Sequence, residues 1–168
     1  MCDILLAGAT GYIGSAVAMA LVEKGYKVLC PVRQIPKAPL TGVIYEICDC
    51  TDTVAIKQLA QRFSGIEAII SCIASRTGGR QDAWLVDYRA NMTLLETAQE
   101  LAIERFILLS AICVQKPRLE FQHAKRAFEQ KLQASGLTYS IVRPTAFFKS
   151  LAGQVEKVKA GKAFVMFD

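Results

Sequence analysis

Three glycines in the segment Gly8-Ala9-Thr10-Gly11-Tyr12-Ile13-Gly14 are the first residues whose type and spacing suggest chemistry. An apolar run, Ile4–Ala7, precedes them, and a helical pattern over Gly14–Lys24 follows. A strand that turns sharply into a helix presents backbone N–H groups to whatever lies ahead of it, and anions bind there. Gly8 permits the tight turn, Gly11 lets the backbone approach a pyrophosphate, and Gly14 allows helix and strand to pack closely. Thr10, Tyr12 and Ile13 then share the same contact surface. A second strand, Lys27–Val32, stands where a βαβ unit needs one, so the expected ligand is a dinucleotide.

The end of that second strand selects among dinucleotides. An acid about 20 residues beyond the glycines would bind a ribose 2′-hydroxyl. This chain has Val32-Arg33 instead. A guanidinium suits a 2′-phosphate, which makes NADP(H) the expected cofactor. Asp49, ending the third strand, is placed to meet the adenine amino group, and Asp49 or Asp52 could equally cap the next helix. Cys72 and Ala74 follow the fourth strand and Ser110 the fifth, at the edge where open α/β sheets bind ligands. Arg143, ending the sixth strand, could pair with a substrate carboxylate or make a structural ion pair.

Other chemistries find little support. The cysteines at 2, 30, 48, 50, 72 and 113 form no Cys-x-x-Cys pair, and His123 is the single histidine. No metal site is expected, and the cysteines read as reduced and structural. Sequence-specific nucleic-acid motifs are absent. The apolar runs Ala68–Ala74 and Phe106–Val114 fall short of the roughly 20 residues of a membrane span. No leader-like segment precedes Ile4, so the chain reads as cytoplasmic. Net charge is +5, with ten Lys/Arg against eleven Asp/Glu up to Val114 and ten against four from Gln115 onward. A basic C-terminal third reads as solvated helix faces, although it could favour an anionic ligand or peripheral contact with a membrane surface.

Several elements must position these residues. Further strands are expected at Val43–Ile47, Glu67–Ala74, Arg105–Ser110, Thr138–Val142 and Ala163–Phe167. Helices are expected from Asp52 or Thr53 to Arg62, from Trp84 to Leu101, over Leu119–Ala134 and over Phe147–Ala160. The Trp84–Leu101 helix carries Leu85, Tyr88, Met92 and Leu95 at helical spacing. No helix fits between Arg33 and Gly42, where Pro36 and Pro39 favour an irregular connection. Strand and helix alternating in this way predict an α/β fold, a doubly wound parallel sheet of Rossmann type in one domain.

The glycine segment resembles the fingerprint of extended and atypical short-chain dehydrogenases/reductases. Three further blocks resemble something narrower: Ser71–Gly79, Leu109–Pro117 and Arg143–Leu151. Together they are similar to the divinyl chlorophyllide 8-vinyl reductases, NADPH enzymes of (bacterio)chlorophyll synthesis. The resemblance implies a tetrapyrrole substrate, with Arg143, Phe147 and Phe148 on its side of the site. Short-chain dehydrogenases generally carry Tyr-x-x-x-Lys, whose members share a helix face one turn apart. Here the segment is Phe121-Gln122-His123-Ala124-Lys125, with the lysine present and the phenol absent. That argues against carbonyl chemistry, which needs a proton on a developing alkoxide, and tolerates hydride addition to a conjugated vinyl group. Lys125 is then expected to anchor the nicotinamide ribose, and Ser110 to hydrogen-bond nicotinamide or substrate. Members of the family continue into a segment that completes the substrate pocket, so residues 1–168 are expected to be one cofactor domain with its substrate subdomain missing or truncated. The absent tyrosine also fits dinucleotide-binding regulators resembling NmrA-like proteins, or an inactive cofactor domain.

Overall fold

The computed structural model describes residues 2–145 and 147–163, with side chains throughout except at 148–151 and 153. Among the described residues six strands form, β1 (Ile4–Ala7), β2 (Val28–Val32), β3 (Val43–Ile47), β4 (Ala68–Ser71), β5 (Arg105–Leu109) and β6 (Thr138–Val142). They make one sheet in the order β3-β2-β1-β4-β5-β6, and every neighbouring pair is parallel. The strand expected at Ala163–Phe167 falls almost wholly outside the described residues.

The central strands are apolar throughout because both of their faces are covered. All residues of β1 and β2 are buried. Their side chains alternate between two cores. Leu5, Leu29, Ile69, Phe106 and Leu108 point to the face packed by helices α2 (Thr53–Arg62), α4 (Asn91–Glu100) and α5 (Glu120–Gln133). There Phe106 and Phe128 meet with ring centroids 5.7 Å apart. Leu6, Val28, Cys30 and Val32 point to the opposite face, against α1 (Tyr12–Glu23). Each such side chain contributes about 1.5–3 kcal/mol by leaving water. The edge strands β3 and β6 alternate less cleanly and stay half-exposed. No helix joins β2 to β3, in line with the prolines between them.

One helix differs from its sequence pattern. It begins as α3 (Arg80–Ala83), widens to a π-helix over Trp84–Ala90, and continues as α4. The expected apolar face included Leu85, which is instead 52% exposed. The residues turned inward are Ala83, Asp87, Ala90, Asn91, Leu94 and Leu95. Of the expected face, Leu95 lies in the core and Tyr88 and Met92 pack partly buried against it, so only Leu85 departs, while polar Asp87 and Asn91 turn inward. The last helix, α6 (Phe148–Lys159), follows β6. Among the described residues no helix is long and apolar enough to cross a membrane.

Candidate functional site

Parallel strands place all their C-terminal ends on one edge, and the chain departs to opposite faces on either side of the β1–β4 boundary. The crevice at such a reversal is where open α/β sheets bind ligands. A cavity of about 600 Å³ lies there, walled by Gly8, Thr10, Gly11, Tyr12, Ile13 and Gly14 on one side. Val32 and Arg33 follow from β2, residues 48–51 from β3, and Cys72, Ile73, Ala74 and Arg76 from β4. Leu85, Val86, Leu109 and Phe147 complete the wall.

The glycine loop is built for close approach. Gly8 has φ +82°, and a Cβ there would lie 2.7 Å from the backbone of Cys72. A Cβ on Gly14 would lie 2.0 Å from the Gly8 carbonyl oxygen. Gly11 is unlike both, since its nearest neighbour would be that same oxygen at 3.3 Å. The first structure-imposed pair fixes the turn, and Gly11 leaves room on the cavity side. Helix α1 starts at this point with no side-chain cap and no acid in its first turn. Its positive end therefore suits the phosphates of a dinucleotide.

Arg33 is exposed at the cavity wall, with no acid at the end of β2 to take its place. Asp82 faces the same region. Hydrogen bonds from the Thr77 N–H and hydroxyl hold its carboxyl below the usual carboxylate range, with Arg33 adding to the effect. Arg76 contributes a second guanidinium to the wall, which the sequence pattern did not single out because it lies in an irregular loop. Asp49 lines the cavity and accepts from the Thr51 N–H at 2.8 Å and hydroxyl at 2.9 Å. Asp52, not Asp49, caps α2, accepting from the N–H groups of Val54 and Ala55 at 3.0 Å.

The remaining expected residues divide. Cys72 and Ala74 line the cavity, and burial pushes the Cys72 thiol up to about 11. Phe147 lines it too, edge-on to Tyr12 at 6.4 Å between centroids. Phe148 opens α6, and its side chain lies outside the described residues. Ser110 is buried next to the lining residue Leu109, and its hydroxyl has no hydrogen-bond partner among the described residues. Arg143 is engaged by Glu129 through two contacts, at 2.6 and 3.1 Å. The structural alternative for Arg143 is thus the one present, because the Glu129 carboxylate is buried and needs a partner. Phe121 packs 3.6 Å from where a Gly78 Cβ would stand, and His123 is exposed.

Lys125 is not on the cavity wall. It is buried behind it, with Nζ 3.0 Å from the Asp87 carboxylate and 3.5 Å from the Ile73 carbonyl oxygen. Asp87 escaped the sequence pattern because a charge within a helix ordinarily reads as a solvated residue. All six cysteines are free, and the described residues contain no cluster able to hold a metal ion.

The fold and the glycine loop define a nicotinamide-dinucleotide-binding domain. The chain belongs to the NAD(P)H-binding family, whose profile matches residues 8–167. Along 98% of its length it is 46% identical to the chloroplastic divinyl chlorophyllide a 8-vinyl-reductase of Oryza sativa subsp. indica. The reductase of Arabidopsis thaliana is 42% identical over the same share. The chain spans 44% of the length of each. More distantly, it is 30% identical over 90% of its length to the photosystem II assembly factor Ycf39 of Cyanophora paradoxa, and spans 48% of that protein. Among solved structures, the enzyme WbmH of Bordetella bronchiseptica in complex with NAD+ superposes with a TM-score of 0.78 at 19% identity, covering 96% of this chain and 64% of that one. This likeness shows the fold alone. The reductase relatives are chloroplastic, which overturns the cytoplasmic expectation. That expectation rested on the few residues before β1, and these carry no information about delivery.

Proposed function

We propose that the chain forms the cofactor-binding portion of an NADPH-dependent reductase that converts the C8-vinyl group of a divinyl (proto)chlorophyllide to ethyl. The similarity to four reductases of that name, at 42–46% identity over 98% of the chain, carries this reading. Bound NADPH would supply the hydride, the hard chemistry that a cofactor brings, and solvent water the proton that completes the ethyl group. The chain's own residues bind and orient. The α1 N-terminus and the loop around Gly11 receive the pyrophosphate, Arg33 the 2′-phosphate, and Asp49 the adenine. Phe147 offers an apolar surface on the substrate side.

Phe121 supports reduction of a vinyl group over reduction of a carbonyl. A carbonyl substrate needs an acid where the alkoxide develops. A vinyl group conjugated to a macrocycle delocalises the developing charge over the ring and needs no phenol at that position.

The similarity to Ycf39 favours a second reading, in which a dinucleotide-binding domain serves assembly and catalyses nothing. Vinyl reduction separates the two. Divinyl chlorophyllide and NADPH are incubated with this chain and with a form extended to the relatives' length, and the vinyl-to-ethyl conversion is followed chromatographically. Conversion by either form supports the reductase, and Phe121→Tyr should not increase it. NADPH binding without conversion by either form replaces the reductase with the second reading.

A further inference from the structure

A buried charged pair stands directly behind the cavity wall, on a distorted helix. A π-turn loosens the regular carbonyl pairing of a helix and often marks functional sites. Here Asn91 closes the defect. Its Nδ2 donates to the Asp87 carbonyl at 3.0 Å and the Val86 carbonyl at 3.5 Å, while the Ser71 hydroxyl donates to its Oδ1 at 2.5 Å. This ties the π-segment to the end of β4 and turns the Asp87 side chain, 1% exposed, toward that of Lys125, 6% exposed.

Removing two charges from water is costly and is offset only by good geometry and further hydrogen bonds. Both partners find those bonds on the same loop. Lys125 reaches the Ile73 carbonyl, and the Ser75 N–H points at both Asp87 carboxylate oxygens at 3.4 Å. Between Ile73 and Ser75 lies Ala74, and Cys72, Ile73 and Ala74 are cavity wall. The pair therefore holds the backbone of that wall from behind, at two points two residues apart.

We infer that Asp87 is a positioning residue, and that the Asp87–Lys125 pair acts on the dinucleotide through the 72–75 loop and not by touching it. The inference rests on the cavity being a dinucleotide site, as in the proposed function, and is independent of the substrate. It reverses the simplest expectation for Asp87. If Lys125 touched the ribose directly, Asp87 would compete for its ammonium, and Asp87→Asn would release it. If the pair acts as a clamp, Asp87→Asn loosens the wall.

The test is NADPH titration of the full chain, by calorimetry and by energy transfer from Trp84, the single tryptophan, three residues from Asp87 on the π-segment. Asp87→Asn and Lys125→Met should each weaken NADPH by about tenfold, and the double variant Asp87→Leu/Lys125→Met by no more than either, because residues acting as one unit are non-additive. Transfer efficiency at saturating NADPH should fall in all three, a change that reduced stability alone does not produce. Lys125→Arg should restore part of the affinity. The double variant removes both charges together, so it keeps the test valid if a single variant fails to fold. Unchanged or tighter NADPH binding in Asp87→Asn overturns the clamp. Failure of the parent chain to bind NADPH overturns the dinucleotide reading itself.

Discussion

The glycines of the loop should separate folding from binding. At Gly14 a Cβ would sit 2.0 Å from the Gly8 carbonyl oxygen and 2.8 Å from its carbon, so the backbone itself must move. Overpacking of this kind costs about 1–3 kcal/mol. At Gly8 the contact with Cys72 is joined by a φ of +82°, which adds about 1–2 kcal/mol for any residue with a Cβ. For a chain of this size about 2 kcal/mol corresponds to a fall of roughly 4–8 °C in Tm. Gly11 has φ −77° and ψ 167°, an extended conformation that β-branched residues accept, and nothing closer than 3.3 Å. Gly11→Val should therefore cost about 1 kcal/mol of stability, less than a side chain at Gly8 or Gly14. Its branched side chain would stand where the pyrophosphate must come close, so NADPH binding should be abolished. Calorimetric titration gives the affinity and thermal denaturation the Tm. Gly11→Val binding NADPH at parental affinity, or Gly14→Ala melting with the parent, refutes the geometry argued for this loop.

Three other outcomes are expected. Arg33→Asp should lower NADPH affinity by about 10- to 150-fold, the equivalent of one charge-assisted contact of about 1.5–3 kcal/mol, while sparing NADH. Equal affinities of the parent for NADPH and NADH contradict the assignment. Arg143→Met leaves the Glu129 carboxylate buried without its partner and should cost about 2 kcal/mol in urea denaturation, most of it recovered by adding Glu129→Met. An unchanged midpoint shows that the pair contributes nothing. Burial pushes the thiols of Cys30 and Cys50 up to about 12 and that of Cys72 up to about 11, so they stay protonated at pH 8 and gain reactivity only as pH climbs toward those values. Mass spectrometry after brief iodoacetamide treatment at pH 8 should find the exposed Cys113 alkylated before these three.

Where residue type is dictated by local sterics or burial, the sequence reads directly. The apolar runs of β1 and β2, too short for buried helices, read as strands covered on both sides, and Gly8 and Gly14 stand where a Cβ cannot fit. Asp52 caps α2 by the same local logic, since its carboxylate needs only the two N–H groups that follow it. Asp87 was illegible for the opposite reason. Its role depends on Lys125, 38 positions away on another helix, and a buried carboxylate breaks the polar-out rule that makes helix faces readable. Lys125 was found by the resemblance of Phe121–Lys125 to the short-chain dehydrogenase pair, but that resemblance says nothing about which side of the cavity wall the ammonium occupies. Arg143 offered a substrate carboxylate or a structural ion pair in sequence, and only the packing of β6 against α5 brings the Glu129 carboxylate to 2.6 Å.

The π-segment also bears on how this helix tolerates changes in length. A π-turn holds one residue more than an α-turn, as if a single codon had been inserted into an ordinary helix. Removing one residue between Trp84 and Ala90 would leave an ordinary turn in place of the wide one, and the segments on either side would keep their rotation about the axis. α3 would stay at the cavity, and Leu94, Leu95 and Ala98 would keep their seats in the core. What a shortened chain would lose is the wide turn itself, whose Val86 and Asp87 carbonyls accept from the Asn91 amide. A residue removed from α4, beyond the wide turn, has no such slack and would turn everything before it by about 100°.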